Sequence, residues 1–183
     1  MPGLEDLYRE IILDHYRSPR NRGELPSPPA TRVEGFNPLC GDEVVLYLDI
    51  QDDVVRDIRI SGQGCSISQS SASMMSSAVK GRTLEEVRAL ARAFKGMMSI
   101  HEQSLDGEDD QGHEAPLVEG VGDAGEGPAG EGARVPEVKL GDLEALRGVV
   151  KFPVRIKCAT LSWNTLLQGI VEATGTDGDT SAD

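Results

Sequence analysis

Apolar residues occupy every second position between residues 44 and 50, and this alternation constrains the fold more than any other feature of the chain. Such a period of two is typical of a half-buried β-strand. Residues 31–36 and 54–60 also have strand character, and brief turns join them to the alternating segment. Three consecutive strands with short connections predict an antiparallel meander. The alternating apolar residues are Val44, Leu46, Leu48 and Ile50.

The remaining patterned segments predict helices, which must cover one face of this sheet. Apolar residues spaced three and four apart predict a helix over residues 3–16, and we expect His15 to cap it or to lie on the surface. Residues 66–80 are almost wholly Ser, Ala and Met, and the small side chains allow close approach to the sheet or to another helix. Thr83 and Glu86 form a capping box for a third helix. The predicted fold class is α+β, a three-stranded antiparallel sheet with helices packed on one face.

A last helix carries Cys158. Pro153 suits its first position, where the missing N–H costs nothing. We expect Cys158 to lie in the first turn, where the positive end of the helix favours thiolate over thiol. Arg155 and Lys157 flank the cysteine and act in the same direction.

The acidic residues are concentrated in one segment. The formal net charge is −13, and residues 101–137 contain eleven acidic residues against Arg134 alone. Residues 103–136 have too few apolar side chains to offset the entropy of ordering, which predicts a disordered acidic insert. We therefore expect a single domain over residues 1–175, interrupted by this insert, and a frayed tail over residues 176–183.

Composition also excludes several classes of function. No basic stripe is present to neutralise phosphates, which argues against nucleic-acid binding. No apolar run approaches the ~18 residues that a membrane span needs. The N-terminus lacks the basic region and apolar stretch of a secretory signal. We expect a cytoplasmic protein that binds neither nucleic acid nor membranes.

Three cysteines, Cys40, Cys65 and Cys158, favour metal binding or thiol chemistry over disulfides, because their number is odd and the expected compartment is reducing. A meander can bring the turns of the first two to one end of the sheet, and Asp42 could add a carboxylate there. Three thiolates and one carboxylate suit tetrahedral Zn²⁺, and the same thiolates could hold iron and sulfide. On spacing alone, three unrelated buried thiols explain the pattern equally well.

The segments around the cysteines closely resemble the U-type iron–sulfur cluster assembly proteins, whose fold is of the SufE/NifU-like kind. These segments are residues 37–42, 62–72 and 152–163, and residues 7–21 resemble the family's first helix. Lys157 stands where the IscU-like branch has a histidine before the third cysteine. In this respect the chain is similar to the SufU branch.

The resemblance implies that Cys40, Asp42, Cys65 and Cys158 hold Zn²⁺ at one end of the sheet. It also implies a SufS-type cysteine desulfurase as partner, with Cys40 as acceptor of its persulfide sulfur, and SUF scaffold or apo iron–sulfur proteins as recipients. Arg155 is a candidate catalytic residue that could steady the developing negative charge or Asp42, and a surface position over the helix start explains it equally well. The chain would be at most a zinc-dependent sulfurtransferase that acts with the desulfurase.

Three hypotheses follow from this interpretation. In the leading one, the protein is a zinc-dependent sulfur carrier, and Cys40 suits the acceptor role because its glycine-containing turn can move. In the second, Cys40, Cys65 and Cys158 build a 2Fe–2S cluster on an IscU-like scaffold, with Asp42 as fourth ligand. In the third, zinc is structural and the domain only binds partners.

Overall fold

The structure, a computed structural model, describes residues 3–99 and 138–175. The predicted acidic insert and C-terminal tail lie outside these residues, so the domain boundaries stay a prediction. No helix in the two described ranges is both long enough and apolar enough to cross a membrane. In chain order the elements are α1 (Leu4–Arg17), β1 (Thr31–Asn37), β2 (Asp42–Gln51), β3 (Val54–Gln63), α2 (Ser66–Val79), α3 (Leu84–Ser99), a 3₁₀ helix (Gly141–Lys151) and α4 (Pro153–Thr174).

The three strands form one antiparallel sheet in the order β1-β2-β3, which confirms the predicted meander. The β1–β2 hairpin closes with Asn37 opposite Asp42, and residues 38–41 connect the two strands. At the same end of the sheet, Glu43 of β2 pairs with Gln63, the last residue of β3. This end therefore gathers both the hairpin turn and the loop that leads from β3 into α2.

The central strand β2 is buried on both faces along its middle, which differs from the half-buried strand expected. Val45 and Tyr47, on the face opposite the alternating apolar set, are each only 7% exposed. Val45 pairs with Glu34 and Tyr47 pairs with Arg32 of the neighbouring strand. The Arg32 guanidinium lies 6.0 Å from the centre of the Tyr47 ring. Long side chains on the flanking strands can cover apolar surface with their stems, and sequence alternation does not reveal this.

The helices pack on the sheet in two layers. Helix α4 lies on β1 and β2, and α2 lies on β3, while α1, α3 and the 3₁₀ helix pack outside them. The Ser71 hydroxyl donates to the carbonyl of Ala159 at 2.6 Å, so the small residues of α2 bring it close to α4 as predicted. Between α3 and α4, the rings of Phe94 and Trp163 stack with their centroids 4.9 Å apart. The predicted α+β class is confirmed.

His15 is buried between three helices, and the prediction that it caps a helix or lies on the surface is wrong. Its side chain belongs to α1, and the residue is 2% exposed. Nδ1 lies 2.8 Å from the Ser73 hydroxyl of α2, and Nε2 lies 2.9 Å from Asp142 of the 3₁₀ helix. The Ser73 hydroxyl already accepts the backbone N–H of Arg20, so its proton is free to be donated to His15.

We expect His15→Ala to lower the free energy of unfolding by about 1–3 kcal/mol, because the buried Ser73 hydroxyl loses its acceptor. Asp142→Ala should cost much less, since the Asp142 side chain is 62% exposed and water can replace it. Urea denaturation followed by circular dichroism measures both values. Equal losses in the two variants would contradict the structural role of the His15 ring.

Candidate metal centre

The turn between β1 and β2 presents Cys40 at the end of the sheet. The backbone carbonyl of Asn37 accepts the N–H of Cys40 at 3.3 Å and that of Gly41 at 2.8 Å. The Asn37 side-chain oxygen accepts the N–H of Leu39 at 3.1 Å, as in an Asx-turn. Gly41 has φ +68°, a left-handed conformation that glycine adopts without steric cost. The turn leaves Cys40 exposed to solvent.

Asp42, the first residue of β2, connects the hairpin to the start of α2. It is buried, at 1% exposure. Its Oδ1 accepts the backbone N–H of Cys65 at 2.9 Å, and its Oδ2 lies 3.6 Å from the Cys65 sulfur. Cys65 is the N-cap of α2, and its sulfur accepts the N–H of Ser68 at 3.4 Å. The carboxylate and this thiol are therefore held together by the beginning of one helix.

Cys158 lies in the second turn of α4, as the sixth residue counted from Pro153, and not in the first turn as predicted. Burial raises the pKa of the Cys158 thiol well above its ordinary value, and Asp42, Cys40 and Cys65 act in the same direction. The effect of the helix end that was expected to favour the thiolate falls off within the first turn, and Cys158 lies beyond it. A thiolate at this position needs a bound cation to offset burial and repulsion.

The fold brings three sulfurs and one carboxylate together. The sulfurs of Cys40 and Cys158 are 3.3 Å apart. Ligand-type atoms of Cys40, Asp42 and Cys158 all lie within 4.8 Å of one another, and the Cys65 sulfur reaches this group through Asp42 at 3.6 Å. A tetrahedral zinc ion with thiolates at about 2.3 Å separates two sulfurs by roughly 3.8 Å. The donors of Cys40, Asp42 and Cys158 therefore suit zinc in chemistry and lie close enough to share one ion, whereas Cys65 lies outside this closest group.

Arg155 stands at the solvent edge of the group, beside Cys65. Attraction to the Cys65 sulfur is the main cause that raises the pKa of the Arg155 guanidinium, and Cys158 and Cys40 contribute less. The catalytic role of Arg155 stays a prediction. Lys157 is exposed.

Comparison with known proteins decides the family. The sequence matches the family model described as the NifU-like N terminal domain over residues 7–116. It is 39% identical to the zinc-dependent sulfurtransferase SufU of Bacillus subtilis, and the match covers 94% of this chain and 95% of that protein. The chain belongs to the NifU-like N-terminal domain family. The resemblance described from the sequence is thereby confirmed.

Two further proteins are similar to this chain over most of its length. The iron–sulfur cluster assembly scaffold protein IscU of Streptococcus pyogenes is 36% identical, with 91% of this chain and 84% of IscU covered. The crystal structure of a putative iron–sulfur cluster assembly scaffold protein for the SUF system from Fervidobacterium islandicum superposes with a TM-score of 0.62 at 28% identity. That match covers 90% of this chain and 96% of the crystallised chain.

Asn37 makes a contact at the site that the sequence did not predict. Its side-chain nitrogen lies 3.9 Å from the Cys158 sulfur. The sequence offers a single signal for Asn37, its position before Pro38, and that signal indicates a turn and not a sulfur contact.

We expect Gly64→Ala to weaken zinc binding by about 10–100-fold, the range found when a group that positions a ligand is disturbed. A Cβ at Gly64 would lie 2.6 Å from Oδ1 of the buried Asp42, so the carboxylate must move away from the N–H of Cys65. Gly96→Ala is the matched control, because a Cβ there meets nothing within 4 Å. Competition with a chromophoric chelator measures both affinities. Equal affinities would argue against Asp42 as a ligand.

Proposed function

We propose that this protein acts in iron–sulfur cluster assembly as a zinc-dependent sulfur carrier, which accepts persulfide sulfur from a SufS-type cysteine desulfurase through Cys40. The observation that supports this most strongly is the environment of Cys40, which is exposed although its sulfur lies only 3.3 Å from that of the buried Cys158. One sulfur is thus accessible to another protein while it remains within reach of the other ligand groups. Similarity to the SufU sulfurtransferase over nearly the full length of both chains favours the same function.

The zinc ligands in this proposal are Cys40, Asp42, Cys65 and Cys158. Their chemistry supports the choice of metal, because thiolates select zinc over the hard cations that prefer oxygen ligands. When bound, zinc keeps cysteine thiolates deprotonated at neutral pH. Burial, followed by Asp42 and the other two cysteines, disfavours the charged form of Cys158, and a divalent cation offsets that cost.

Transfer requires the Cys40 thiolate to attack the terminal sulfur of the desulfurase persulfide. A sulfur–sulfur bond forms at Cys40, the sulfur–sulfur bond in the desulfurase breaks, and the desulfurase cysteine leaves as a thiolate. Cys40 suits this step because it lies in a hairpin turn, whereas Cys65 and Cys158 are fixed by helices α2 and α4. Arg155 carries a positive charge at the edge of the site, where it can stabilise the negative charge on sulfur.

Exposed apolar side chains beside the site support docking of a protein partner. Phe36 is 63% exposed, Leu39 66%, Phe152 62% and Val154 59%. Two of them belong to the hairpin that carries Cys40, and two lie at the start of α4. Exposed apolar groups that cluster around a reactive residue are typical of an interaction surface. In this proposal the desulfurase covers this surface, and SUF scaffold or apo iron–sulfur proteins receive the sulfur afterwards.

An IscU-like scaffold that assembles a 2Fe–2S cluster is the second candidate. The 36% identity to IscU of Streptococcus pyogenes favours it, and the same three cysteines with Asp42 would be the cluster ligands. A purely structural zinc site is less favoured, because Cys40, one of the four candidate ligands, is exposed to solvent.

Metal analysis of protein purified without chelator separates the first two candidates. We expect about one zinc ion per chain and a colourless protein, because three thiolates and a carboxylate complete a tetrahedral zinc site. A brown preparation that contains iron and acid-labile sulfide in place of zinc would favour the scaffold.

We expect Cys40→Ala to reduce the turnover of a SufS-type desulfurase to the level measured without this protein, because the persulfide loses its acceptor. Ser77→Ala, an exposed change on α2, is the control and should stimulate turnover like the wild type. Alanine and sulfide production are measured together, and zinc content is determined for each variant. Full stimulation by Cys40→Ala would show that sulfur acceptance at this residue is wrong.

A further inference from the structure

We infer that Asn37 is a positioning residue of this site, whose amide shapes the turn that carries Cys40 and donates an N–H to the sulfur of Cys158. In this way Asn37 helps to determine which sulfur moves and which stays in place. The inference rests on the proposed function, in which Cys40 is the acceptor.

The register of the hairpin places Asn37 where it can do this. Asn37 ends β1 directly opposite Asp42, which begins β2. Residues directly opposite in an antiparallel pair project from the same face of the sheet. Both are buried, Asn37 at 6% and Asp42 at 1% exposure. The hairpin base therefore sends two buried polar side chains towards two helices, Asp42 to Cys65 of α2 and Asn37 to Cys158 of α4.

The orientation of the Asn37 amide follows from its neighbours. Its Oδ1 accepts the N–H of Leu39 at 3.1 Å, and the reversed amide would set one donor against another. The NH₂ group must then face the other way, where Nδ2 lies 3.9 Å from the Cys158 sulfur. A weak N–H donor at this distance favours the charged sulfur and fixes its direction, as groups behind metal ligands do.

Hydrogen bonding distinguishes the three sulfurs. Cys65 receives the backbone N–H of Ser68, and Cys158 receives the side-chain N–H of Asn37. Among the hydrogen bonds of residues 3–99 and 138–175, no N–H donates to the sulfur of Cys40; its one partner is the Cys158 thiol. An N–H donor withdraws charge from a thiolate and holds it in place. The sulfur without one is the better nucleophile and the freest to move.

The Asn37 amide makes two contacts, accepting the N–H of Leu39 and donating to the Cys158 sulfur, and Asn37→Ser separates them. A serine hydroxyl can still accept the N–H of Leu39 and keep the turn, but it is too short to reach Cys158. Asn37→Ala removes both contributions. Asn164→Ser is the matched control, because the same change falls on an exposed position of α4.

Two measurements without any desulfurase test the inference. We expect Asn37→Ser to bind zinc about tenfold more weakly than Asn164→Ser in chelator competition. In zinc-loaded wild type, iodoacetamide should modify Cys40 well before Cys158, as mass spectrometry of the peptides shows. In Asn37→Ser this preference should fall by about tenfold. Values for Asn37→Ser equal to those of Asn164→Ser, with an effect in Asn37→Ala alone, would overturn the donor role.

If the variants do not fold, a measurement on the wild type still tests the contact between the Asn37 amide and the Cys158 sulfur. In protein loaded with ¹¹³Cd, a scalar coupling between the metal and the Asn37 amide protons reports the N–H···S contact directly. Its absence, with couplings to the cysteine protons present, would overturn the inference. None of these three measurements involves sulfur transfer, so failure here is distinguishable from failure of Cys40 as acceptor.

Discussion

The pairing of Asn37 with Asp42 at the base of the β1–β2 hairpin is the constraint on which the rest of the site depends. A shift of one residue in this register would turn Asp42 to the opposite face of the sheet, away from Cys65. The apolar set of β2 resists such a shift, because it would move those side chains out of the helix-covered core. Burial of apolar residues in the middle of the sheet thus fixes the position of polar residues at its end.

This arrangement concentrates groups that disfavour the charged form of Cys158. Asp42 is 1% exposed and the buried Cys158 lies beside it, with Cys40 and Cys65 close by. Backbone N–H groups donate to the Asp42 carboxylate and to the Cys65 sulfur. The Cys158 sulfur receives a weak side-chain N–H contact from Asn37. A site of this kind is coupled to cation binding, since the ligands reach their charged forms together with the ion.

The sequence predicts much of this fold, because local patterns determine it. The three strands, the capping box of Thr83 and Glu86, and Pro153 at the first position of α4 follow from period, hydrogen-bonding chemistry and φ preference. The burial of His15 could not be predicted, since it depends on which helices pack together. The same holds for the contact between Asn37 and Cys158, which are 121 residues apart in sequence. The position of Cys158 in the second turn, by contrast, follows from Pro153 at the first position of α4 by counting along the helix.

The exposure of the three sulfurs favours the proposed carrier over a structural zinc domain. Cys158 is buried, Cys65 is half-buried at the N-terminus of α2, and Cys40 is exposed in a turn. A metal site that serves only stability gains from enclosing every ligand, because solvent at one sulfur lets competing ligands and oxidants in. Here the sheet and two helices enclose one side of the site, and the side that carries Cys40 is left open beside exposed Leu39 and Phe152. An open ligand beside an apolar surface is what exchange with another protein requires.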